Sequence, residues 1–110
     1  MTVKIAVPSK GDTLQAEVDA RMARAENFII IDLETGDFRV LKNSEQQAHG
    51  MGPKVVQNLA AEGVNVLIAR SIGMNAANSL QSAGIEAYLC DEETVESAIE
   101  KFKQGKLPRA

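Results

Sequence analysis

FIIIDLETGDFRVLK, residues 28–42, decides the fold. The apolar run FIIIDL gives way to the turn ETGD, and then to FRVLK, which alternates apolar and polar. Gly36 supplies the positive φ that a tight turn asks for. The segment predicts two antiparallel strands, the second at a sheet edge because only one of its faces is apolar. Upstream, VKIAVP (residues 3–8) turns wholly apolar and stops at Pro8, as a strand covered on both faces does.

Downstream the rhythm becomes helical. Pro53 suits the first position of a helix, Val55, Val56, Leu59 and Ala60 form its apolar stripe, and Gly63 closes it. VNVLIA (residues 64–69) is a strand. Ala76, Ala77, Leu80 and Ala83 mark a second helix closed by Gly84, and IEAYLC (residues 85–90) is the last strand. Val95, Ala98, Ile99 and Phe102 follow the i, i+3, i+4, i+7 pattern of a third helix, closed at Gly105. Between the first two strands, SKGDTLQAEVDARMARAEN is polar and irregular, and the spacing of Leu14, Val18 and Met22 admits a helical turn or two. The tail KLPRA reads as frayed.

A hairpin followed by strand–helix units gives an α/β fold. Its core is a five-stranded mixed sheet of order 3-2-1-4-5, the second strand antiparallel, with three main helices on its faces. After the third strand the chain crosses to the other side of the first, which creates a topological switch point, where open α/β sheets hold ligands. Four loops open on that edge: the one after Pro8, AHGMGP, RSIGMN and the Cys90–Asp91 turn. Arg24, before the second strand, lies on the same edge.

The chain has 110 residues, read as one domain over 1–110, with no repeat or linker. Its formal net charge of −3 lacks the basic footprint of a nucleic-acid binder. No apolar stretch approaches the ~18 residues of a membrane span, and the N-terminus has no signal-peptide layout. The single cysteine excludes an internal disulfide and fits a reducing cytoplasm. An enzyme is not expected. The first strand carries no carboxylate to cluster with Asp32 of the second, and there is no GxSxG, Walker A or GxGxxG motif.

The candidates for binding lie on the loop edge. His49, the only histidine, sits in HGMGP at a helix start, where backbone N–H groups favour an anion and Gly50 and Gly52 let a ligand approach the backbone. The plain alternative is a tight loop with an exposed imidazole. RSIGMNA repeats the design: Gly73 or Asn75 caps the next helix, either for capping alone or as a second anion-facing end. Met22, Met51, Met74 and Cys90 offer soft sulfur to a metal, or simply fill the core.

With RA and F at Arg24, Ala25 and Phe28, HGMGP at residues 49–53, IGMNA at residues 72–76, AGIEAYL at residues 83–89 and TVESAIEKF at residues 94–102, the chain resembles the dinitrogenase iron–molybdenum cofactor biosynthesis family. These are small domains of nitrogenase-accessory and orange-protein type. The resemblance implies a ribonuclease H-like motif, and non-enzymatic binding or carriage of an iron–molybdenum cofactor precursor or related metal–sulfur cluster. It makes His49 the metal ligand or a donor to the cluster. Arg24, Gly50, Gly52, Gly73 and Asn75 become its remaining contacts, and a cofactor-assembly or cluster-receiving protein becomes a partner. Two departures stand out: Arg21 occupies a position where many members carry His, and Met74 one where many carry Pro. Two other readings stay open: a regulatory or protein-interaction module without metal, and a small-anion or nucleotide-binding domain using the two helix starts.

Overall fold

The computed structural model describes residues 3–21, 25–42 and 51–110, with residues 51–53 described by their backbone alone. The elements run β1 (Lys4–Ser9), β2 (Asn27–Asp32), β3 (Phe38–Lys42), α1 (Met51–Ala61), β4 (Val66–Ala69), α2 (Met74–Ala83), β5 (Glu86–Leu89) and α3 (Val95–Lys103). The sheet has the order β3-β2-β1-β4-β5. β2 is antiparallel to β1 and β3, and β4 is parallel to β1 and β5. The fold is therefore the expected five-stranded mixed α/β sheet, and its topology is consistent with a ribonuclease H-like motif. No helix among the described residues is long and apolar enough to cross a membrane.

The alternation of strand side chains builds two cores. Ala6, Phe28, Ile30, Leu67 and Ala69 face α1 and α2, meeting Val55, Leu59, Ala76 and Leu80. Ile5, Val7, Ile29, Ile31, Val66 and Ile68 face α3, meeting Val95, Ala98 and Ile99. This explains why β1, β2 and β4 read as continuous apolar runs: both faces are covered. Each fully buried aliphatic side chain, such as Leu59 or Leu80, contributes about 1.5–3 kcal/mol of transfer free energy. β3 has no buried residue and pairs only with β2, as its half-polar pattern predicts.

The hairpin turn is built by Asp32. Its side chain accepts from the Glu34 N–H at 2.9 Å, its carbonyl accepts from the Gly36 N–H at 2.8 Å, and Gly36 takes φ 78°. The acid that ends β2 is thus a turn former. Gly84 closes α2 at φ 75°, and the Ile85 N–H returns to the Leu80 carbonyl at 2.9 Å. A side chain with Cβ would strain that left-handed position.

Two segments depart from expectation. No helical turn forms from Leu14 and Val18, and Met22 lies outside the described residues. Residues 10–19 instead form a strap. Val18 bridges Ser9, Glu17 bridges Thr94, and the Asp19 N–H donates to the Pro8 carbonyl at 2.9 Å. The turn-forming Lys10–Thr13 stretch breaks the helical period, and the strap's backbone finds partners in β1 and α3. The tail is not frayed either. Leu89 N–H donates to the Pro108 carbonyl at 2.9 Å and Ala110 N–H to the Ala87 carbonyl at 3.0 Å, so the tail pairs along the outer edge of β5.

Candidate functional site

Strand direction places the ends of β1, β3, β4 and β5 and the starts of α1 and α2 on one edge. Register sets Ser9, Asn27 and Lys42 side by side there. This is the switch-point edge, because β4 lies on the opposite side of β1 from the hairpin.

α2 begins at this edge. Gly73 is its N-cap, with φ −70° and ψ 161°, and no side chain caps the helix. Asn75 is therefore not the cap; it sits exposed in the first turn. A Cβ added at Gly73 would meet nothing within 4 Å, so neither backbone conformation nor packing demands glycine there. Gly52 falls in the first turn of α1. Arg24, His49 and Gly50 lie outside the described residues, so Gly52, Gly73 and Asn75 are the expected contacts that can be placed, all on helix starts of one edge.

The start of α3 is closed to ligands. Val95 N–H donates to the Ala16 carbonyl and Glu96 N–H to the Leu14 carbonyl, both at 2.9 Å, and Ser97 N–H donates to Thr94 Oγ1 at 3.1 Å. The strap and the cap take up the donors that an anion would use.

The soft atoms separate. Met74 is 80% exposed, beside Gly73. Cys90 is buried against the α3-side core. Burial first, then the nearby Glu93 carboxylate, pushes its thiol up to about 11, against the pull of Arg70. At neutral pH and without metal, Cys90 is a buried, protonated thiol. Met22 and the Met51 side chain are outside what is described. Among the described residues, no group of three or more His, Cys, Asp or Glu is placed to hold a metal ion.

Two features of the edge left no mark in the sequence. Asp19 is 2% exposed and is gripped by Arg21. Burial pushes its carboxyl up, but hydrogen bonds from the Arg21 side chain and amide, with the cation itself, outweigh this and hold it below the usual carboxylate value. The other is Asn27 at the start of β2, also buried, whose Oδ1 has no hydrogen-bond partner among the described residues. An (i, i+2) acid–base pair and an asparagine before a strand are both commonplace in solvated turns. Asp19 is held at the edge by the strap, which sequence periodicity does not reveal.

Sheet order, switch-point edge and capless helix start define a small α/β domain that presents backbone donors on one loop edge. The family model described as dinitrogenase iron–molybdenum cofactor matches residues 1–105, and the chain belongs to that family. The apo form of the orange protein from Desulfovibrio gigas superposes with a TM-score of 0.95 at 34% identity, over 100% of this chain and 94% of that one. The solution structure of a putative NifB protein from Thermotoga gives 0.87 at 45% identity, over 97% and 92%. An uncharacterised protein of Methanocaldococcus jannaschii is 28% identical over 97% of this chain and 91% of its own length.

Proposed function

We propose that this chain is a non-enzymatic, cytoplasmic carrier of an iron–molybdenum cofactor precursor or a related metal–sulfur cluster, held at the switch-point edge. The family match over residues 1–105 carries the reading. The geometry supplies a means. Cys90 is the only cysteine and is buried, so the chain has no set of thiolates with which to hold a cluster. It must bring its own sulfides and be gripped as an anion. The starts of α1 and α2 direct backbone donors and positive dipole ends to one edge, and Gly73 leaves open space for a bulky ligand. In this assignment His49 is the metal ligand or sulfide donor. Arg24 balances charge, and Gly50, Gly52, Gly73 and Asn75 complete the contacts. A cofactor-assembly or cluster-receiving protein is the partner, and residues 1–110 act as one domain.

The test is an anaerobic titration of the full chain with a molybdenum–iron–sulfur precursor, followed by visible absorbance after gel filtration, with His49→Ala in parallel. Saturable co-elution that weakens in the variant supports the assignment. Equal binding by both proteins removes His49 from it, and no co-elution removes the carrier reading.

One observation favours a metal-free regulatory or protein-interaction module instead. Arg21, standing where many members carry His, is engaged with Asp19 and offers a cluster no metal-binding atom. A stable protein partner recovered without metal uptake would decide for that reading.

A further inference from the structure

On the α3 side of the sheet, a groove of about 600 Å³ runs between the ends of β4 and β5, the second half of α3 and the chain's tail. Arg70, Lys101, Lys106 and Asp91 give its lining three cations and one acid, in a chain whose net charge is −3. We infer that this groove is a second ligand site, separate from the starts of α1 and α2, and that it takes a phosphorylated small molecule.

The cations are unequally engaged. Lys101 Nζ lies 3.2 Å from Glu93 Oε1, whose carboxylate is also held by Ser97 Oγ at 2.7 Å and the Asp91 N–H at 3.0 Å. Lys101 is thereby fixed on the wall. The Arg70 side chain is 29% exposed, yet its ion-pair partner, Glu92, is itself 72% exposed and 3.8 Å away, too far for a hydrogen bond. Lys106 has no ion-pair partner among the described residues. A half-buried guanidinium without a hydrogen-bonded counter-ion, beside an unpaired ammonium, is a fork and a point charge suited to phosphate oxygens.

The rest of the lining suits what a phosphate is attached to. Leu89, Leu107 and Pro108 give an apolar wall, and Cys90 adds no negative charge because its thiol stays protonated. The volume is within the ~300–1,000 Å³ range of small-molecule sites and exceeds a bare phosphate. The docked tail is part of the site: the Leu89 N–H to Pro108 carbonyl bond holds Leu107 and Pro108 against β5 as one wall.

Amide-resolved NMR titration of the full chain with ADP, and with adenosine as the uncharged control, tests this at fixed ionic strength. ADP should shift the Cys90, Asp91 and Leu107 amides saturably, and adenosine should leave them unmoved. Lys106→Glu should weaken ADP by about tenfold or more. Lys103→Glu makes the same change of charge on α3 at a lysine paired with Glu100, outside the groove, and should not. His49→Ala should bind ADP as the unmodified chain does. Linear shifts without saturation, equal weakening by both lysine variants, or equal binding of adenosine would overturn the site. Shifts centred on residues 73–76 would place the anion at the α2 start and overturn it too.

Discussion

Arg21 grips Asp19 through one edge of its guanidinium: Nε donates to Oδ1 at 3.1 Å and Nη2 to Oδ2 at 3.0 Å, while the Arg21 amide donates to Oδ1 at 2.9 Å. The carboxylate is buried and the guanidinium is 67% exposed, so one charge leaves solvent while its partner stays in it. Arg21 is thus the counter-ion of the strap.

A pH dependence follows from that grip. The folded-state pKa of Asp19 lies below its ordinary value of 3.8, so its stabilisation is present above 3.8 and is lost as pH falls through the lower folded value. Arg21→Gln removes the cation and its guanidinium hydrogen bonds, so the carboxyl should move up from its folded value. The variant should therefore be less stable at neutral pH, with the gap to the parent narrowing as acid protonates Asp19. Urea midpoints between neutrality and about pH 3 measure this. A gap that does not change with pH would mean that Arg21 acts by packing and not by charge.

Cys90 makes the opposite prediction at the alkaline end. Its thiol is pushed up from 9.0 to about 11, so the folded state holds the proton longer than the unfolded chain. Stability from this group is full below 9.0 and declines as pH rises from there through about 11. Alkylation at pH 8 should be slow in the folded protein and fast in denaturant. Cys90→Ala should leave cluster co-elution unchanged. Rapid alkylation of the native chain, or loss of cluster in the variant, would return Cys90 to the list of ligands.

The tail offers a test of sheet stability. Removing residues 106–110 deletes the two backbone bonds to β5 and Arg109, whose guanidinium carbon lies 5.4 Å from the Tyr88 ring centroid. At about 0.5–1.5 kcal/mol net for each hydrogen bond, the truncated chain should lose about 1–3 kcal/mol. It should also self-associate, because β5 then presents an uncovered edge. Urea denaturation and gel filtration read the two effects. An unshifted midpoint would show that the pairing adds nothing to stability.

What the sequence disclosed and what it hid divide along one physical line. The hairpin, the three helices and their glycine stops were legible because each depends on periodicity or turn chemistry within a few residues, as in Asp32–Gly36. The strap and tail were not. Glu17 meets Thr94 and Arg109 meets Tyr88, pairings between distant or reversed segments with no local period. The site shows the same division. The loop edge and the glycine before α2 could be placed from strand direction, whereas the buried Asp19 sits on the strap that lies across the start of α3.

Gly73 separates a functional glycine from a structural one. Its φ of −70° suits any residue and a Cβ there enters open space, so Gly73→Ala should change stability by less than about 1 kcal/mol. Gly84 adopts φ 75°, where a Cβ costs roughly 1–2 kcal/mol, so Gly84→Ala should destabilise by about that much. For cluster binding the order reverses. Gly73→Ala puts a methyl group where the ligand would touch the backbone and should weaken co-elution, while Gly84→Ala, at the far end of α2, should not. Denaturant midpoints and anaerobic gel filtration on the same two variants give both readings. If Gly73→Ala retains full cluster binding, the start of α2 is not a contact and the cluster must be held by the remaining proposed residues alone.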